Sequence, residues 1–503
     1  MKYFKLFFFL FLSQNLHSQF KGYTPSLSVQ STEIYKNSNI YQQDFLYLCE
    51  GLKKFHANVF LNFPKEEYNK AKETSYKQLA NCNNESEFGF IANKFTNKIR
   101  DGHTGVKVQW EGGSNNIYPF RCKYLVDSLV IMAVSDQLPF SLCGEKIKSI
   151  NGISIKEIEK KASETYVTEN YVSLQKSIML RINSTEYLRF IEVIQSDTSK
   201  IKIFTYSGKE FVASPNFNGK WKSQIPSQNP NFKPFITERQ FEPFLYKIDK
   251  ERKLCYIQFN QMVDKKVGEM YIELLPFLKR WFIKTIRFFG ASGGFSDVYF
   301  EDFLNSCLEE IEKNNIKKVV VDLRWNTGGS MTLGSNLLYA FGVDKYKSYS
   351  SEINRSELFN LQMEDMGIDV NEFNNEDTSD GFYYTKAIEE TKNINKRFKG
   401  DVYFITSEWT FSSAVQLATI VKDNGLFKVV GEPTSGRPTH FGEVLFLKLP
   451  NTSIVCSLSS KLFHRPDNLQ DNKETLYPDV TVYKTYNDII NGIDRVYEWI
   501  AIQ

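Results

Sequence analysis

The sequence of 503 residues predicts an α/β protein, in which strands alternate with helices. In the C-terminal half, short and nearly continuous apolar stretches alternate with amphipathic stretches. Strands that are buried on both faces of a parallel sheet have such apolar runs, and helices connect them. The N-terminal part has apolar residues three and four positions apart instead, which predicts helices.

The first 18 residues have the layout of a secretory signal peptide. Lys2 and Lys5 precede an apolar run over residues 7–12, and small or polar residues follow up to Ser18. The run is too short to cross a bilayer, and no later stretch is long and apolar enough to do so. We therefore expect an exported protein, periplasmic or extracellular, without a membrane span. A buried first strand is the alternative interpretation of the run.

Residues 19–105 are expected to form an N-terminal helical domain. The segments FLYLCEGLKKFHANVF and EFGFIANKFTNKI carry apolar residues at helical spacing. The block ends in RDGHTGV, whose Asp-Gly pair predicts a turn at His103. The ring of that histidine is therefore not expected to lie on a helix face and is available for other contacts.

Residues 106–215 have a different pattern. YLVDSLVIMAV predicts strands, and GEKIKSINGISIKEI predicts two more strands joined by an Asn-Gly turn. This order resembles a PDZ-like domain. Residues 216–243 are rich in proline and asparagine towards their end and are expected to be a linker.

Residues 244–503 are expected to form the α/β core. CYIQFNQM, KKVVVDLRW, DVYFIT, KVVGE and SIVCSL predict strands, and FEDFLNSCLEEIEKNNI predicts an amphipathic helix. Two stretches, residues 264–297 and 346–385, do not fit the alternation and are interpreted as insertions.

Composition excludes some classes of function. The 62 basic and 59 acidic residues give a net charge of +3, and the basic residues are scattered along the chain. A nucleic-acid-binding protein would show a basic patch, so no nucleic-acid partner is expected. The seven cysteines form no CxxC pair and no metal-ligand cluster, so no metal site is expected either.

Two serines follow the strand DVYFIT in the stretch EWTFSSAVQLATIV. Apolar residues after them recur at helical spacing, which places Ser412 at the N-terminus of a helix. Backbone N–H groups and the dipole at a helix N-terminus favour developing negative charge. Ser412 is therefore a candidate nucleophile, although a helix cap is the simpler role for such a serine.

The stretch DLRWNTGGS places two glycines after a buried strand. Gly328 and Gly329 would allow backbone N–H groups to approach a ligand closely, as an oxyanion hole requires. An ordinary strand-to-helix turn is the alternative.

These motifs together resemble the tricorn-core and carboxyl-terminal-processing serine peptidase family. The resemblance lies in the order of DGH, INGI, VVVDLRWNTGG, WTFSSA, VVGEPTSG and YPDV, and it covers residues 44–485. It implies a ClpP/crotonase-like catalytic core and hydrolysis of peptide bonds through an acyl-enzyme, with no metal or organic cofactor. It also implies that Ser412 is the nucleophile, and that the Ser413 amide with that of Gly328 or Gly329 binds the oxyanion.

The resemblance leaves the general base to be decided. The lysine of the processing branch is replaced here by Arg437, which stays protonated and cannot accept a proton. A serine–lysine mechanism would therefore need another lysine, such as Lys461, as the base. The tricorn-like branch uses a histidine that corresponds to His103, which we expect to be the base. His440 is the rival candidate.

The resemblance implies a third catalytic residue, for which Glu474 is the first choice and Asp471 the second. Two positions depart from the family pattern, since Gly102 stands where tricorn has a serine and Val415 where the motif carries glutamate. These departures leave open a catalytically silent member that acts as an extracytoplasmic peptide-binding or scaffolding protein. A thioester-processing crotonase-like enzyme is a more distant alternative. The oligomeric state is not predicted.

Overall fold

The computed structural model describes residues 20–106, 116–165, 168–215, 219–223, 242–288, 296–370, 382–385, 387–390, 397–471 and 474–503. The helices are α1 (Glu33–Lys36), α2 (Ile40–Phe55), α3 (Lys65–Gln78), α4 (Glu85–Thr96), α5 (Ile155–Thr165), α6 (Tyr171–Arg181), α7 (Thr185–Phe190), α8 (Lys265–Glu273), α9 (Phe277–Phe288), α10 (Phe300–Lys313), α11 (Met331–Ala340), α12 (Glu357–Asp365), α13 (Ser413–Asp423), α14 (Tyr486–Asn491) and α15 (Arg495–Ala501).

The strands alternate with these helices, and the predicted α/β class is confirmed. They are β1 (Gly105–Val106), β2 (Phe120–Leu125), β3 (Ser128–Ser135), β4 (Ile147–Ile150), β5 (Ile153–Ser154), β6 (Ile201–Thr205), β7 (Glu210–Ala213), β8 (Trp221–Ser223), β9 (Phe244–Asp249), β10 (Leu254–Phe259), β11 (Lys318–Asp322), β12 (Lys345–Lys347), β13 (Ser350–Asn354), β14 (Phe382–Thr385), β15 (Ile388–Glu390), β16 (Asp401–Thr406), β17 (Lys428–Gly431), β18 (His440–Lys448), β19 (Val455–His464) and β20 (Val480–Thr481).

A six-stranded sheet forms the centre of the C-terminal part, in the order β20-β17-β16-β11-β10-β9. The pairs from β20 to β10 are parallel, and β9 is antiparallel at the edge. Helices α10, α11 and α13 share the largest apolar core with one face, and α15 packs on the other. Both faces are therefore covered, which explains the continuous apolar run in β11.

The N-terminal helices pack on a second, antiparallel sheet. This sheet contains β1, β19, β13 and β14 in order, with β18 paired to β19. Leu48 and Leu52 of α2 share one apolar cluster with Leu445 of β18 and Leu458 of β19. Helical structure within residues 19–105 was expected from the sequence, but the packing of these helices on the C-terminal strands was not.

Strand β1 brings the turn at His103 to the C-terminal part of the chain. It pairs antiparallel with β19, with Gly105 opposite Ser457 and Val106 opposite Cys456. The hydroxyl of Thr104 also accepts a hydrogen bond from the Ser459 N–H at 3.1 Å. A contact between residues several hundred positions apart is thus fixed by backbone pairing.

The middle of the chain has its own core. Residues 116–223 form a three-stranded sheet, β2-β3-β8, and a four-stranded sheet, β5-β4-β6-β7, with helices α5 to α7. Asn151 and Gly152 join β4 to β5 with φ angles of 51° and 81°, which is the primed turn that an Asn-Gly pair favours. The PDZ-like assignment stays a prediction.

The two expected insertions contain regular structure. Residues 264–297 include α8 and α9, and residues 346–385 include β13, α12 and β14. Much of the expected linker, and the expected signal peptide, lie outside the described residues. Among the described helices, none is both long and apolar enough to cross a membrane.

Candidate active site

Ser412 lies between β16 and α13, in a loop that is held by hydrogen bonds to the segment that follows β11. The hydroxyl of Thr410 donates to the Leu323 carbonyl at 2.9 Å, and the hydroxyl of Ser407 donates to the Arg324 carbonyl at 2.8 Å. The two parallel strands β11 and β16 thus hold the loops at their carboxyl ends together. This is the edge of an α/β sheet where ligands bind.

Ser412 has a strained backbone. Its φ of 54° and ψ of −131° lie where residues other than glycine are rarely found. It is the residue before α13, yet its side chain does not cap the helix. The hydroxyl instead lies 3.0 Å from Nε2 of His103, so the simpler role of a helix cap does not apply.

His103 lies between this hydroxyl and two carboxylates. Its Nδ1 is 3.5 Å from Oδ1 of Asp101 and 3.6 Å from Oε1 of Glu169, which are ion-pair distances rather than short hydrogen bonds. The ring stacks on Phe411, with the ring centroids 4.7 Å apart. With its proton on Nδ1 beside the carboxylates, the neutral ring presents Nε2 as an acceptor to Ser412.

Asp101 is itself oriented by a second histidine. Nδ1 of His56 accepts the N–H of Asn58 at 3.1 Å, so the ring carries its proton on Nε2 and donates it to Oδ2 of Asp101 at 3.2 Å. The hydroxyl of Thr104 and the N–H of His103 donate to the same carboxylate. Asp101 is therefore held rigidly. Burial acts to raise its pKa, but the interactions with the His103 and His56 rings keep that pKa well below the usual range.

Glu169 is held by two backbone N–H groups. The N–H of Gly102 donates to Oε1 at 3.0 Å, and the N–H of Arg437 donates to Oε2 at 2.8 Å. A side chain at position 102 would collide with this arrangement, since a Cβ there would lie 2.8 Å from Oε1 of Glu169 and 3.0 Å from Phe411. Gly102, a departure from the family pattern, thus makes room for the carboxylate.

The pKa of His103 reflects this environment. Burial lowers it, but Asp101 and Glu169 act against burial and raise the pKa to about 9. The imidazolium is therefore favoured near neutral pH. A site of this kind stabilises the charge that the ring acquires when it takes a proton from a hydroxyl.

Two backbone N–H groups next to Ser412 can receive an oxyanion. In the described part of the chain, the N–H groups of Gly329 and Ser413 donate to no protein acceptor, whereas the N–H of Gly328 donates to Oδ1 of Asn326 at 2.9 Å. Gly329 has a φ of 135°, and a Cβ there would lie 2.2 Å from the Met262 carbonyl oxygen. Of the two glycines expected at this place, Gly329 therefore has the available donor.

The rival bases have other partners. In His440, Nδ1 bonds to the Pro438 carbonyl at 2.9 Å and Nε2 lies 3.3 Å from the Gln416 amide, while its ring centroid is 6.0 Å from that of His103. Burial lowers the pKa of His440. The Lys461 ammonium lies over the Phe463 ring, 4.5 Å from its centroid.

The structure does not bring Glu474 to the histidine. Its carboxylate pairs with the Arg100 guanidinium at 3.2 Å, and both side chains are about half exposed. Asp471, the second choice, bonds to the hydroxyl of Thr439. The carboxylates that reach His103 are those of Asp101 and Glu169. Asp101 lies within the motif that identified His103, whereas no motif marks Glu169 in the sequence.

Asp101, His103 and Glu169 also form a group of possible metal ligands, whose ligand atoms lie within 4.8 Å of one another. The backbone N–H groups of Gly102, His103 and Arg437 already donate to the two carboxylates. These bonds hold both carboxylates beside Nδ1 of His103, where they stabilise a protonated imidazole. The arrangement is therefore better suited to proton transfer.

The fold and the site are those of a serine-type hydrolase, and a comparison with known families agrees with this class. Residues 286–482 match the family model of peptidase family S41, which agrees with the family that the motifs predicted. Its members are serine-type peptidases.

Solved structures are similar over nearly the whole chain. For mature CPAF the identity is 14%, the coverage is 93% of this chain and 96% of that chain, and the TM-score is 0.60. For mature CPAF complexed with lactacystin the identity is 15%, the coverage is 93% of this chain and 97% of that chain, and the TM-score is 0.60. A putative peptidase from Parabacteroides merdae has 13% identity, coverage of 92% and 96%, and a TM-score of 0.45. The likeness to CPAF shows a shared fold, and no curated protein sequence matches the chain.

Proposed function

We propose that this chain is an exported serine endopeptidase with Ser412 as nucleophile and His103 as general base. The observation that carries the proposal is the 3.0 Å contact between Ser412 Oγ and His103 Nε2. The match of residues 286–482 to peptidase family S41 supports the same class of reaction. Export rests on the signal-like layout of residues 1–18.

The reaction begins when neutral His103 takes the hydroxyl proton of Ser412 and the oxygen attacks the peptide carbonyl. The resulting oxyanion is bound by the N–H groups of Gly329 and Ser413. The imidazolium, stabilised by the nearby Asp101 and Glu169, then protonates the leaving amine. Water releases the acyl group in the reverse sequence of proton transfers, which regenerates Ser412.

Glu169 and Asp101 take the position that Glu474 was expected to fill. A carboxylate beside Nδ1 holds the tautomer in which Nε2 can accept a proton, and it stabilises the charged ring in the transition state. Glu474 has no such contact, because its carboxylate is paired with Arg100.

The expected substrate is an extended segment of a peptide or protein. Strands in the middle part of the chain would add backbone hydrogen bonds to such a segment, as in other domains that bind peptides along a sheet edge. The predicted PDZ-like character of residues 106–215 is the basis for this part of the proposal.

Labelling with a fluorophosphonate probe tests the proposal, since the probe reacts with an activated serine. We expect the wild-type chain to be labelled at Ser412 and to cleave an unstructured protein such as casein. Ser412→Ala should abolish both, and His103→Ala should lower both by at least about 10²-fold. Thermal stability should stay nearly unchanged, so the losses would not reflect unfolding. Lactacystin, which forms a complex with mature CPAF, should compete with the probe.

Two outcomes would contradict this assignment. Full cleavage by Ser412→Ala would exclude this serine as nucleophile. A correctly folded wild-type chain that is neither labelled nor active over a broad pH range would favour the silent, peptide-binding alternative.

A further inference from the structure

Helix α9 presents its apolar side to solvent. The exposed fractions of four large side chains are 69% for Phe277, 76% for Leu278, 61% for Trp281 and 44% for Phe282. Positions i, i+1, i+4 and i+5 of a helix lie on one face, so these side chains form a contiguous patch. A helix of a globular protein normally buries such a face, and an exposed patch of this kind marks an interaction site.

The opposite side of α9 fixes the helix to the body of the protein. Ile283 is buried in a cluster with Ile272 and Leu275. Arg280 and Lys284 both pair with Glu273 at the end of α8. These contacts of the inner face hold α9 in place. The four large apolar side chains on its other face therefore point to solvent.

The sequence of α9 is basic, although Glu273 at the end of α8 pairs with two of its basic residues. The sequence from 274 to 288 contains Lys279, Arg280, Lys284 and Arg287 and no aspartate or glutamate. A helix with aromatic and leucine side chains on one face and lysine or arginine beside it is typical of a segment that lies in a membrane interface. The positive charge complements anionic lipid headgroups.

The N-terminal end of the described chain lies at the same place. Phe20 packs in the cluster that holds Ile283, and the N–H of Lys21 donates to the Leu274 carbonyl at 3.0 Å. In the sequence, the apolar run over residues 7–12 with its two lysines comes shortly before Phe20. Removal of the proposed signal peptide, residues 1–18, would leave the N-terminus of the processed chain close to the base of α9.

We propose that the exposed face of α9 binds the surface of an anionic lipid bilayer. A helix of 12 residues is about 18 Å long, too short to span the hydrocarbon core, so it would lie in the plane of the interface. Phe277, Leu278 and Trp281 enter the acyl boundary, and Lys279 contacts the headgroups. The proposal does not depend on the peptidase reaction.

Co-sedimentation with lipid vesicles tests the proposal on the processed chain without residues 1–18. We expect binding to vesicles that contain phosphatidylglycerol, and weaker binding to pure phosphatidylcholine. The triple variant F277S/L278S/W281S should lose binding at least about tenfold, since affinity scales with the buried apolar area. Lys279→Gln should weaken binding to the anionic vesicles only.

The double variant L469S/I502S is the matched control. Its two side chains are 86% and 80% exposed and lie outside α9, so its vesicle binding should equal that of the wild type. Cleavage of a soluble peptide should be unchanged in all these variants. Equal vesicle binding by wild type and triple variant would overturn the proposal. A second result would also overturn the proposal: the wild type binds no vesicles, and the triple variant loses self-association or peptide binding. Another protein or a peptide would then cover the face.

Discussion

At the scale of single residues, His103 is the centre of the site because it joins two environments. Its Nε2 contacts Ser412, and its Nδ1 faces Asp101 and Glu169. Burial alone would favour the neutral ring, yet the two carboxylates raise the pKa to about 9. The neutral ring accepts the proton of Ser412, so the proposed reaction should speed up as the pH rises towards 9.

Replacement of Glu169 by glutamine tests this electrostatic account. Because an adjacent carboxylate raises the pKa of a histidine, its loss lowers that pKa, and the pH at which kcat/KM reaches half its maximum should fall by at least about one pH unit. The maximal kcat/KM should also fall, since the imidazolium of the transition state loses a stabilising charge. A pH profile of kcat/KM between pH 5 and 10 measures both effects (the range extends about four units below the pKa and one above it).

Glu474→Gln is the matched control, because that carboxylate pairs with Arg100 at the surface. We expect its pH profile to coincide with that of the wild type. A shift in Glu474→Gln together with no shift in Glu169→Gln would restore the role expected for Glu474 from the family resemblance.

At the scale of elements, the position of His103 depends on the two-residue strand β1. The turn before it is fixed by Thr104, whose buried hydroxyl donates to Asp101 and accepts the N–H of Ser459 in β19. This hydroxyl links the carboxylate beside His103 to the antiparallel sheet. The proposed catalytic geometry should therefore be sensitive to a residue whose hydroxyl bonds to Asp101 and Ser459 rather than to Ser412 or the His103 ring.

Replacement of Thr104 by valine should destabilise the protein by about 1–3 kcal/mol, because the Ser459 N–H and one bond to Asp101 lose their partner while the shape is kept. The kcat/KM should fall as well, since His103 is held less firmly. Urea unfolding measures the first effect and peptide cleavage the second. Thr74→Val is the control, since its hydroxyl bonds to the Lys70 carbonyl on an exposed helix surface. That change should stay within about 0.5 kcal/mol, and an equal effect in both variants would contradict the role of Thr104.

The sequence predicted those site residues that lie within short motifs. Ser412 follows a strand and precedes a helix, Gly328 and Gly329 follow a buried strand, and His103 occupies a turn. The order of these motifs along the chain selected them, but it did not decide between the two glycines. Glu169 lies two residues before α6, in a stretch without a motif. It reaches His103 because the middle part of the chain packs on the Gly102 and Arg437 backbone, and such a contact has no local signature.

At the scale of the whole molecule, the sequence suggested the order of the segments but not how they share their cores. The α/β core was predicted because each strand carries its own apolar run. The N-terminal helices looked like a separate unit, yet their apolar faces are covered by β13, α12, β18 and β19. Asp44 of α2 adds to this connection, because its buried carboxylate accepts the N–H groups of Asn451 and Thr452. Residues 116–223, in contrast, bury an apolar cluster formed almost entirely among themselves.

This difference predicts opposite behaviour for two fragments. A fragment of residues 116–223 should unfold cooperatively in urea and show a near-UV circular dichroism signal, because its core lies within the fragment. A fragment of residues 20–106 should be helical but lack that signal and bind an apolar dye, because the strands that cover its core are absent. Co-expression with residues 244–503 should restore its tertiary signal, and Asp44→Ala should weaken that association. A fragment of residues 20–106 that unfolds cooperatively by itself would show that the N-terminal helices form an independent domain.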